Sequence, residues 1–427
     1  MKKLIVVLCV ILALLLAVLA GRHFVRAHRA AQREAEPAVQ AAVPAPEPAP
    51  DPAPEPEPEP VPDVTFVLED SALQSFIEQM AEKYHATGMQ VAILNDGEVI
   101  GSYACGWATL DADPMTTEHK IRVASVSKVV VGMAAMLLQE EGAVDLDENV
   151  GACWGVEAVN PHYPRTPITP RMILEHTSTL LDYEITGASS GEIRSLLTYG
   201  YMDTEPGKIS SWLYNNFAFG ALGATLELAA GQTLDEVLDD RLFGPLDIDA
   251  SFAGGDLDDP ALAATLYRGR TAEYTAGWQQ SLHLDPTPGE NAVYYAGGLT
   301  ISAGDLAKLV ALLADDGVYA GERLLSEDSV AQMEAYQHQP LEDGSFQAHP
   351  LLYIRDVYGR DGVYYHPGTA YGVNSCISYD PDTGDGVVVI TTGVSDGADR
   401  YELYDECDEI NEFMYKVLAR PIGRPVR

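Results

Sequence analysis

The spacing of apolar and polar residues predicts strands and helices near both ends of the chain. Over residues 71–84, apolar side chains recur every three or four positions, which predicts a helix with Ser71 and Gln74 as its capping box. A last helix is predicted over residues 399–418 on the same grounds. Short apolar runs around turn residues predict two hairpins: 91–94 with 99–104, joined by Asp96–Gly97, and 373–379 with 387–392, joined by Asp380–Gly384.

The middle of the chain, from Ser125 to about Phe243, is predicted to be mostly helical. Strands from the two chain ends can then pair in one sheet. We therefore expect an α/β (α+β) fold: an antiparallel sheet built from both chain ends, flanked by helices, with an inserted mostly helical subdomain. The cleft between the sheet and this subdomain is the expected position of a functional site.

The N-terminal part of the chain differs from the rest in composition. Residues 1–33 hold a long apolar run with Lys and Arg on both sides, typical of a membrane anchor or an export signal. Val18–Ala20 offers a cleavage site, so both alternatives stay open. Residues 34–63 form a Pro/Glu/Ala-rich linker, expected to be extended. Residues 64–427 are predicted to be one extracytoplasmic domain, which is anchored to a membrane through the N-terminal helix or secreted after cleavage.

The formal net charge of −38 argues against nucleic acid as a partner.

Beyond the apolar run there are four cysteines without C-x-x-C spacing: Cys105, Cys153, Cys376 and Cys407. In an exported domain they can form two disulfides in three connectivities or stay reduced, and Cys407, on an apolar helical face, is expected in the core. No His and Cys cluster has zinc-site spacing, so neither a metal nor another cofactor is predicted.

Ser125 and Lys128 are candidates for an activated nucleophile. Ser125 ends an extended segment and precedes apolar residues at helical spacing, so it is predicted to open a helix, with its own N–H free to face an oxyanion. Lys128 follows one turn later on the same face and can take the serine proton if burial lowers its pKa. Alone, a capping serine and a solvated lysine explain the pattern better.

Two further segments carry residues suited to the same chemistry. Tyr214 and Asn216 precede a strongly helical stretch; a phenol can carry a proton to a leaving group, and an amide can bind substrate and hold the lysine. His366, Gly368 and Thr369 come just before a predicted strand, where the N–H of Thr369 can supply a second oxyanion donor. In isolation, a capping Asn beside a core Tyr and an ordinary turn are the simpler interpretations.

With these three motifs in this order, the chain resembles the serine β-lactamase and penicillin-binding protein family. The resemblance is to the class C-like branch, which includes DD-carboxypeptidases, esterases and D-amino-acid amidases. It extends over nearly all of residues 66–418 and includes the His-Thr-Ser segment at 168–178 and the glycine-containing segment at 297–305. The family fold agrees with the one that the hydrophobic pattern predicts.

The resemblance also implies roles for the candidate residues. Ser125 would be the acylated nucleophile, and Lys128 and Tyr214 would share the acid and base work. Asn216 would bind substrate, and His366 would stand at the Lys or His of the third motif. No metal belongs to this set.

Two positions depart from the family pattern. Thr179 replaces the usual Gly after His-Thr-Ser, and Pro367 replaces the Thr or Ser common in the third motif. Pro367 removes a hydroxyl that can bind a substrate carboxylate, and a histidine at position 366 is mostly neutral at neutral pH. Recognition of a C-terminal carboxylate and strong β-lactamase activity are therefore less expected. The remaining histidines, including His176, are expected to be structural or surface groups.

Together the motifs predict an extracytoplasmic serine hydrolase that forms an acyl-enzyme at Ser125 and transfers the acyl group to water. A DD-carboxypeptidase or similar peptidase that acts on small cell-wall peptides derived from peptidoglycan is the favoured function. An esterase or a β-lactamase is an alternative within the same class. A non-catalytic wall-binding or sensor module that has kept the fold is a second alternative.

Overall fold

The computed structural model describes residues 70–183, 189–394, 398–400 and 403–418. The predicted anchor or signal segment (1–33) and the linker (34–63) lie outside the described residues and stay predictions. Within the described ranges, no helix is both long and apolar enough to cross a lipid bilayer.

Helices and strands follow one another along the described residues. The α-helices are α1 (Asp70–Lys83), α2 (Ser127–Glu140), α3 (Pro170–Leu174), α4 (Ser190–Tyr199), α5 (Asn216–Ala230), α6 (Leu234–Leu238), α7 (Ala276–Gln279), α8 (Ala292–Tyr295), α9 (Ala303–Ala314), α10 (Glu327–Glu334) and α11 (Asp405–Leu418). The strands are β1 (Gly88–Asn95), β2 (Glu98–Thr109), β3 (Asp113–Pro114), β4 (Ile121–Arg122), β5 (Leu266–Arg268), β6 (Thr271–Tyr274), β7 (Thr300–Ile301), β8 (Val318–Tyr319), β9 (Glu322–Arg323), β10 (Phe346–Gln347), β11 (Leu352–Val357), β12 (Arg360–Ala370), β13 (Val373–Tyr379), β14 (Gly386–Thr392), β15 (Ala398–Arg400) and β16 (Leu403–Tyr404).

An antiparallel sheet of eight strands forms the centre of the domain, in the order β10-β11-β12-β13-β14-β1-β2-β3. Its N-terminal and C-terminal strands meet in the β1–β14 pair, where Val91 lies opposite Val389. The predicted fold, with an antiparallel sheet built from both chain ends and flanked by helices, is therefore confirmed. Both predicted hairpins are present, and Asp96 and Gly97 have the positive φ values, 59° and 78°, that a type I′ turn requires.

The two faces of the sheet pack against different helices. Consecutive residues of β1 belong to different cores: Val91 packs with α1 and α11, whereas Ala92 packs with the layer that contains α2, α5 and α9. Helices α1 and α11 lie side by side, and the rings of Phe76 and Phe413 stack with 3.8 Å between centroids. The Ser125 and Tyr214 segments lie on the α2 side of the sheet, whereas the His366 segment belongs to the sheet itself.

The middle of the chain is less helical than predicted. Residues 141–169 form loops with a short 3₁₀ turn rather than a helix. Asn149 holds this segment, since its Oδ1 accepts hydrogen bonds from the N–H groups of Gly151 and Ala158 at 2.9 and 3.0 Å. The prolines that follow Ala158 also exclude a helix there, because they lack an N–H and clash with the preceding turn.

Two predicted helix starts are corrected. Ser71 lies inside α1 rather than at its N-cap, and Gln74 Nε2 donates to the carbonyl of Ala104 on β2 at 3.0 Å. The last helix begins at Asp405 instead of residue 399, and residues 398–400 form strand β15. Acidic residues in the first turn of α11 favour a helix start at this point, because the N-terminal end of a helix is electropositive.

The four cysteines of the described chain are free thiols, so the alternative of two disulfides is wrong for this structure. Cys376 and Cys407 are buried between the sheet and α11, as expected for Cys407. Asn411 Nδ2 donates to Cys376 Sγ at 3.3 Å. These two thiols act as ordinary core side chains.

Candidate active site

Ser125 lies in a tight turn between a strand and a helix. Strand β4 ends at Arg122, a 3₁₀ turn spans Ala124–Val126, and α2 begins at Ser127. The prediction that Ser125 itself opens the α-helix is therefore wrong in detail. Ala124 has a φ of 48°, a conformation that costs a non-glycine residue about 1 kcal/mol. The turn is held by Ser127, whose Oγ donates to the Ala124 carbonyl at 2.6 Å.

Lys128 connects the serine to the helical layer. Its Nζ lies 3.1 Å from Ser125 Oγ, 2.9 Å from Asn216 Oδ1 and 2.7 Å from the carbonyl oxygen of Ala296. Burial lowers the pKa of the Lys128 amine from 10.5 to about 7, although the carboxylate of Asp182 acts in the opposite direction. A substantial fraction of Lys128 is therefore neutral at neutral pH, and a neutral amine can accept the Ser125 proton.

Aromatic rings cover this lysine. Lys128 Nζ lies 4.8 Å from the centroid of the Tyr214 ring and 5.7 Å from that of Phe219. The ring of His176 packs against Tyr214 with 4.5 Å between centroids. Because these rings keep water away from the amine, they favour its uncharged form by desolvation, whereas the attraction between a cation and a ring face acts in the opposite direction. The lowered pKa of Lys128 indicates that desolvation is the larger effect.

The N-terminus of α5 positions Asn216. Asn215 caps the helix, and its Oδ1 accepts from the N–H of Ala218 at 2.7 Å. Asp182 adds a second cap, since one of its oxygens accepts from the N–H groups of Asn216 and Phe217, both at 3.0 Å. The helix start therefore fixes Asn216 beside Lys128 and brings the Asp182 carboxylate close to the same amine.

The third motif lies inside a strand rather than just before one, which corrects the prediction. His366, Pro367 and Gly368 belong to β12, which pairs with β13. At Gly368 the strand presses against the serine turn: an added Cβ atom would lie 2.7 Å from the carbonyl oxygen of Val123 and 3.2 Å from the nitrogen of Ser125. Only glycine allows this approach.

The backbone of Thr369 points away from β13. At the start of β13, the carbonyl of Gly372 accepts from the N–H of Gly393 and so points towards β14. Backbone groups point to the same side at every second residue of a strand, so Asn374 also directs its N–H and C=O towards β14. Thr369 lies opposite Asn374, and its own N–H therefore points to the other side of β12. Strand β11 pairs with β12 only as far as Tyr365. The N–H of Thr369 consequently lies at an uncovered strand edge, one residue from the contact with Ser125.

His366 is a neutral side chain in this site. Its Nδ1–H donates to the Pro367 carbonyl at 2.7 Å. Burial, together with the nearby positive charge of Lys128, lowers the pKa of His366 to about 3. At neutral pH it therefore supplies no positive charge that could attract a carboxylate.

A cavity of about 760 Å³, here called the Tyr214 cavity, opens beside Tyr214. Its lining consists of His176, Ile209, Ser210, Trp212, Tyr214, Gln339, Pro340, Leu341, Glu342, Asp343, Gln347, Pro350, Leu352, His366 and Pro367. Its size suits a small organic substrate rather than a metal ion. Across the part of the chain that the structure describes, no group of three or more His, Cys, Asp or Glu side chains is arranged to hold a metal.

The lowered pKa of Lys128 gives a testable pH dependence. Because only the neutral amine accepts a proton, the rate constant for labelling Ser125 with a fluorophosphonate is expected to fall as pH drops below about 7. Asp182→Asn removes the charge that favours the protonated lysine, so the pH at which the labelling rate constant falls should become lower. The exposed Asp258→Asn serves as the control and should leave the profile in place. If the labelling rate constant falls at the same pH in the wild type and in Asp182→Asn, the pH dependence does not come from Lys128.

Comparison with known proteins identifies the family and the fold of this chain. The sequence profile described as Beta-lactamase matches residues 73–409. The chain belongs to the beta-lactamase family. Penicillin-binding protein 4 of Amycolatopsis lactamdurans is 26% identical over 332 residues, which cover 75% of this chain and 84% of that protein. A D-aminopeptidase of Brucella anthropi is 29% identical over 192 residues, which cover 42% of this chain and 35% of that protein.

Solved structures of beta-lactamase-family relatives have the same fold. A penicillin-binding protein homologue from Pyrococcus abyssi superimposes with a TM-score of 0.63 at 20% identity and covers 82% of this chain and 77% of that one. A D-amino acid amidase from Ochrobactrum anthropi SV3 gives a TM-score of 0.63 at 23% identity and covers 82% of this chain and 97% of that one. At these identities the likeness shows the fold alone.

Thr179 departs from the beta-lactamase family pattern at a strained position. Its φ is 61°, a left-handed conformation that glycine adopts without cost. The threonine hydroxyl compensates in part, because Thr179 Oγ1 accepts from Asn160 Nδ2 at 2.9 Å. The turn after His-Thr-Ser is therefore kept in spite of the substitution.

Three contributors to the candidate site were not predicted from the sequence: His176, Asp182 and the carbonyl of Ala296. His176 was expected to be structural or on the surface, and the structure shows the structural alternative, because the ring is buried and packs against Tyr214; its position beside the candidate site was not predicted. Its place in the His-Thr-Ser segment was a signal that could have marked it. Asp182 and Ala296 reach Lys128 only through tertiary packing, and no local pattern indicates them.

Proposed function

We propose that the protein is a serine hydrolase that forms an acyl-enzyme at Ser125 and transfers the acyl group to water. The distance of 3.1 Å between the Nζ of buried Lys128 and Ser125 Oγ is the observation that carries the proposal. Ser125 Oγ attacks a carbonyl carbon while neutral Lys128 takes its proton. The N–H groups of Ser125 and Thr369 bind the oxyanion, and Tyr214 and Lys128 return the proton to the leaving group.

Small peptides and amides are the proposed substrates, cell-wall peptides derived from peptidoglycan in particular. In support, relatives carry the names penicillin-binding protein, D-aminopeptidase and D-amino acid amidase. We place the domain outside the cytoplasm, anchored through residues 1–33 or released by cleavage there, with residues 34–63 as its stalk.

Trapping tests the chemistry. Incubation with a penicillin or a fluorophosphonate is expected to add the mass of the acyl or phosphonyl group to the intact protein, and Ser125→Ala should abolish the adduct. Ser195→Ala, a substitution of an exposed serine on α4, is the matched control and should be labelled like the wild type. Absence of any Ser125-dependent adduct from both reagents would refute the proposal.

A hydrolysis panel separates the substrate classes. Peptides ending in D-Ala-D-Ala, short acyl esters and a chromogenic lactam should be compared by kcat/KM. Preference for the ester or the lactam would favour the esterase or β-lactamase alternative. The non-catalytic alternative requires that peptidoglycan fragments bind wild type and Ser125→Ala equally, with no turnover by either.

A further inference from the structure

The Tyr214 cavity has an unusual distribution of charge for a site that is expected to receive peptide ends. Among its lining residues, Glu342 and Asp343 are the acidic side chains, and no lysine or arginine lines it in the described part of the chain. Both side chains are exposed. Asp343 accepts from the N–H and hydroxyl of Ser345 at 2.9 and 2.7 Å, whereas Glu342 has no hydrogen bond or ion pair within the described residues.

The two histidines of the cavity do not compensate for these negative charges. Burial lowers the pKa of His176 well below 6.5, and burial lowers that of His366 to about 3. Both rings are therefore neutral at neutral pH. A carboxylate that enters the cavity would meet two acidic side chains and no lining lysine or arginine among the described residues. Lys128, with its Nζ 4.8 Å from the Tyr214 ring centroid, does not line the cavity, and burial lowers its pKa to about 7, so it offsets the desolvation of such a carboxylate only in part.

The lining also includes a histidine with one ring nitrogen that is unpartnered in the described part of the chain. His176 Nδ1 accepts from the N–H of Asn215 at 3.1 Å, which places the ring hydrogen on Nε2. His176 is buried, and its Nε2 has no partner in the described ranges. The indole N–H of Trp212 donates to Gln347 at 2.7 Å. Both side chains are neutral, and neither offers a positive charge to a substrate carboxylate.

Tyr214 relates the cavity to the reaction. In the proposed function, Tyr214 helps to return the proton to the leaving group, so the leaving group must lie next to the phenol. The cavity opens beside the same ring and is bordered by His366 and Pro367, just before the strand edge that carries Thr369. The leaving-group side of a bound substrate therefore extends into the Tyr214 cavity.

We propose that the Tyr214 cavity selects a leaving group that is uncharged or carries a positively charged amine, and that it disfavours one ending in a carboxylate. This inference rests on the proposed function and narrows its substrate class. It favours amidase-like or aminopeptidase-like cleavage over carboxypeptidase cleavage, in which the released amino acid carries the terminal carboxylate.

Thioesters that share one acyl group test the charge preference directly. N-acetyl-D-alanyl thioesters of thiocholine, 3,3-dimethylbutanethiol and 3-mercaptopropanoate release a cationic, a neutral and an anionic thiol, respectively. In each, Ser125 Oγ attacks the carbonyl carbon, the C–S bond breaks, the thiol leaves with the proton, and water then cleaves the ester to Ser125. Thiol release is followed with a colorimetric thiol reagent and gives kcat/KM.

Each variant is compared with the wild type on the same thioester, so differences in intrinsic reactivity among the three thioesters do not affect the comparison. Glu342→Gln combined with Asp343→Asn is expected to lower kcat/KM for the thiocholine ester about fivefold, to raise it for the mercaptopropanoate ester by a similar factor, and to leave the neutral ester nearly unchanged. Glu148→Gln combined with Glu322→Gln removes two exposed carboxylates that do not line the cavity. This control should leave the three values almost unaltered, which separates the cavity from the negative field of the whole protein.

The outcomes distinguish this inference from the proposed function. Suppose that a fluorophosphonate labels Ser125. The charge preference is overturned if the cavity variant changes kcat/KM by the same factor for all three esters, or by no more than the distant control does. It is also overturned if the labelled protein cleaves none of the three esters. If no reagent labels Ser125 at all, the proposed function itself fails. Opposite shifts for the cationic and anionic esters, confined to the cavity variant and weakened by added salt, support the inference.

Discussion

Replacing Lys128 with methionine is expected to lower the rate constant for acylation of Ser125 about 10³-fold. The amine lies 3.1 Å from Ser125 Oγ and is the proposed base, and methionine fills a similar volume without a proton acceptor of comparable strength. The measurement is the rate of mass increase with a penicillin or a fluorophosphonate. Lys416→Met, at an exposed lysine on α11, is the control and should keep the wild-type rate. An unchanged rate in a folded Lys128→Met protein would remove the lysine from the mechanism.

The same variant should be more stable than the wild type, because it no longer buries an ionisable amine. Below the native pKa of about 7, both the folded and the unfolded wild type hold the proton. Between about 7 and 10.5, only the unfolded chain holds it, so the stability of the wild type rises with pH in this window. The stability advantage of Lys128→Met should therefore shrink by about 1.4 kcal/mol per pH unit across it. Urea unfolding of both proteins at several pH values measures the difference, and a pH-independent difference would contradict it.

Gly368→Ala is expected to reduce acylation about 10²- to 10³-fold, because it separates the two oxyanion donors. The new Cβ would meet Ser375 Oγ at 2.5 Å, the Val123 carbonyl at 2.7 Å and the Ser125 nitrogen at 3.2 Å. Two of these are backbone atoms that cannot rotate away, so β12 must move away from the serine turn. Overpacking of this kind costs about 1–3 kcal/mol of stability.

The readout for Gly368→Ala combines Ser125 labelling with thermal unfolding, so that loss of the fold is distinguished from loss of the oxyanion donors. Gly277→Ala is the matched control, because a Cβ there has no atom within 4 Å and the residue does not need a positive φ. A folded Gly368→Ala protein that is labelled at the wild-type rate would show that the approach of β12 to Ser125 has no catalytic role.

Local features of the fold and the site could be predicted from the sequence. Ser125 and Lys128 are three residues apart, so their proximity depends on a single turn of backbone. In the structure, Lys128 Nζ lies 3.1 Å from Ser125 Oγ. The two hairpins were predictable because Asp96–Gly97 and Asp380–Gly384 carry their own turn preferences. The apolar spacing predicted a helix directly after Asn216, and α5 begins at Asn216 itself.

Features that depend on tertiary contacts could not be predicted in this way. Strand β12 was missed around His366 and Gly368, because proline and glycine disfavour strands and only the pairing with β13 holds them there. The strain at Thr179 and the free Nε2 of His176 are likewise set by packing rather than by local preference. The Tyr214 cavity combines segments distant in the chain, so its charge could not be read from any single motif.

The pairing of β1 with β14 affects how the enzyme is made. Val91 cannot pair until Val389 has been synthesised, so the sheet closes late. Such non-local pairing is also slow compared with helix formation. The strand that carries Gly368 is held by β13 within the same late part of the chain. A nascent or prematurely terminated chain therefore contains Ser125 and Lys128 without their oxyanion strand. Under the proposed function, hydrolytic activity requires that the last third of the polypeptide has joined the first strands, and incomplete products are expected to be inactive.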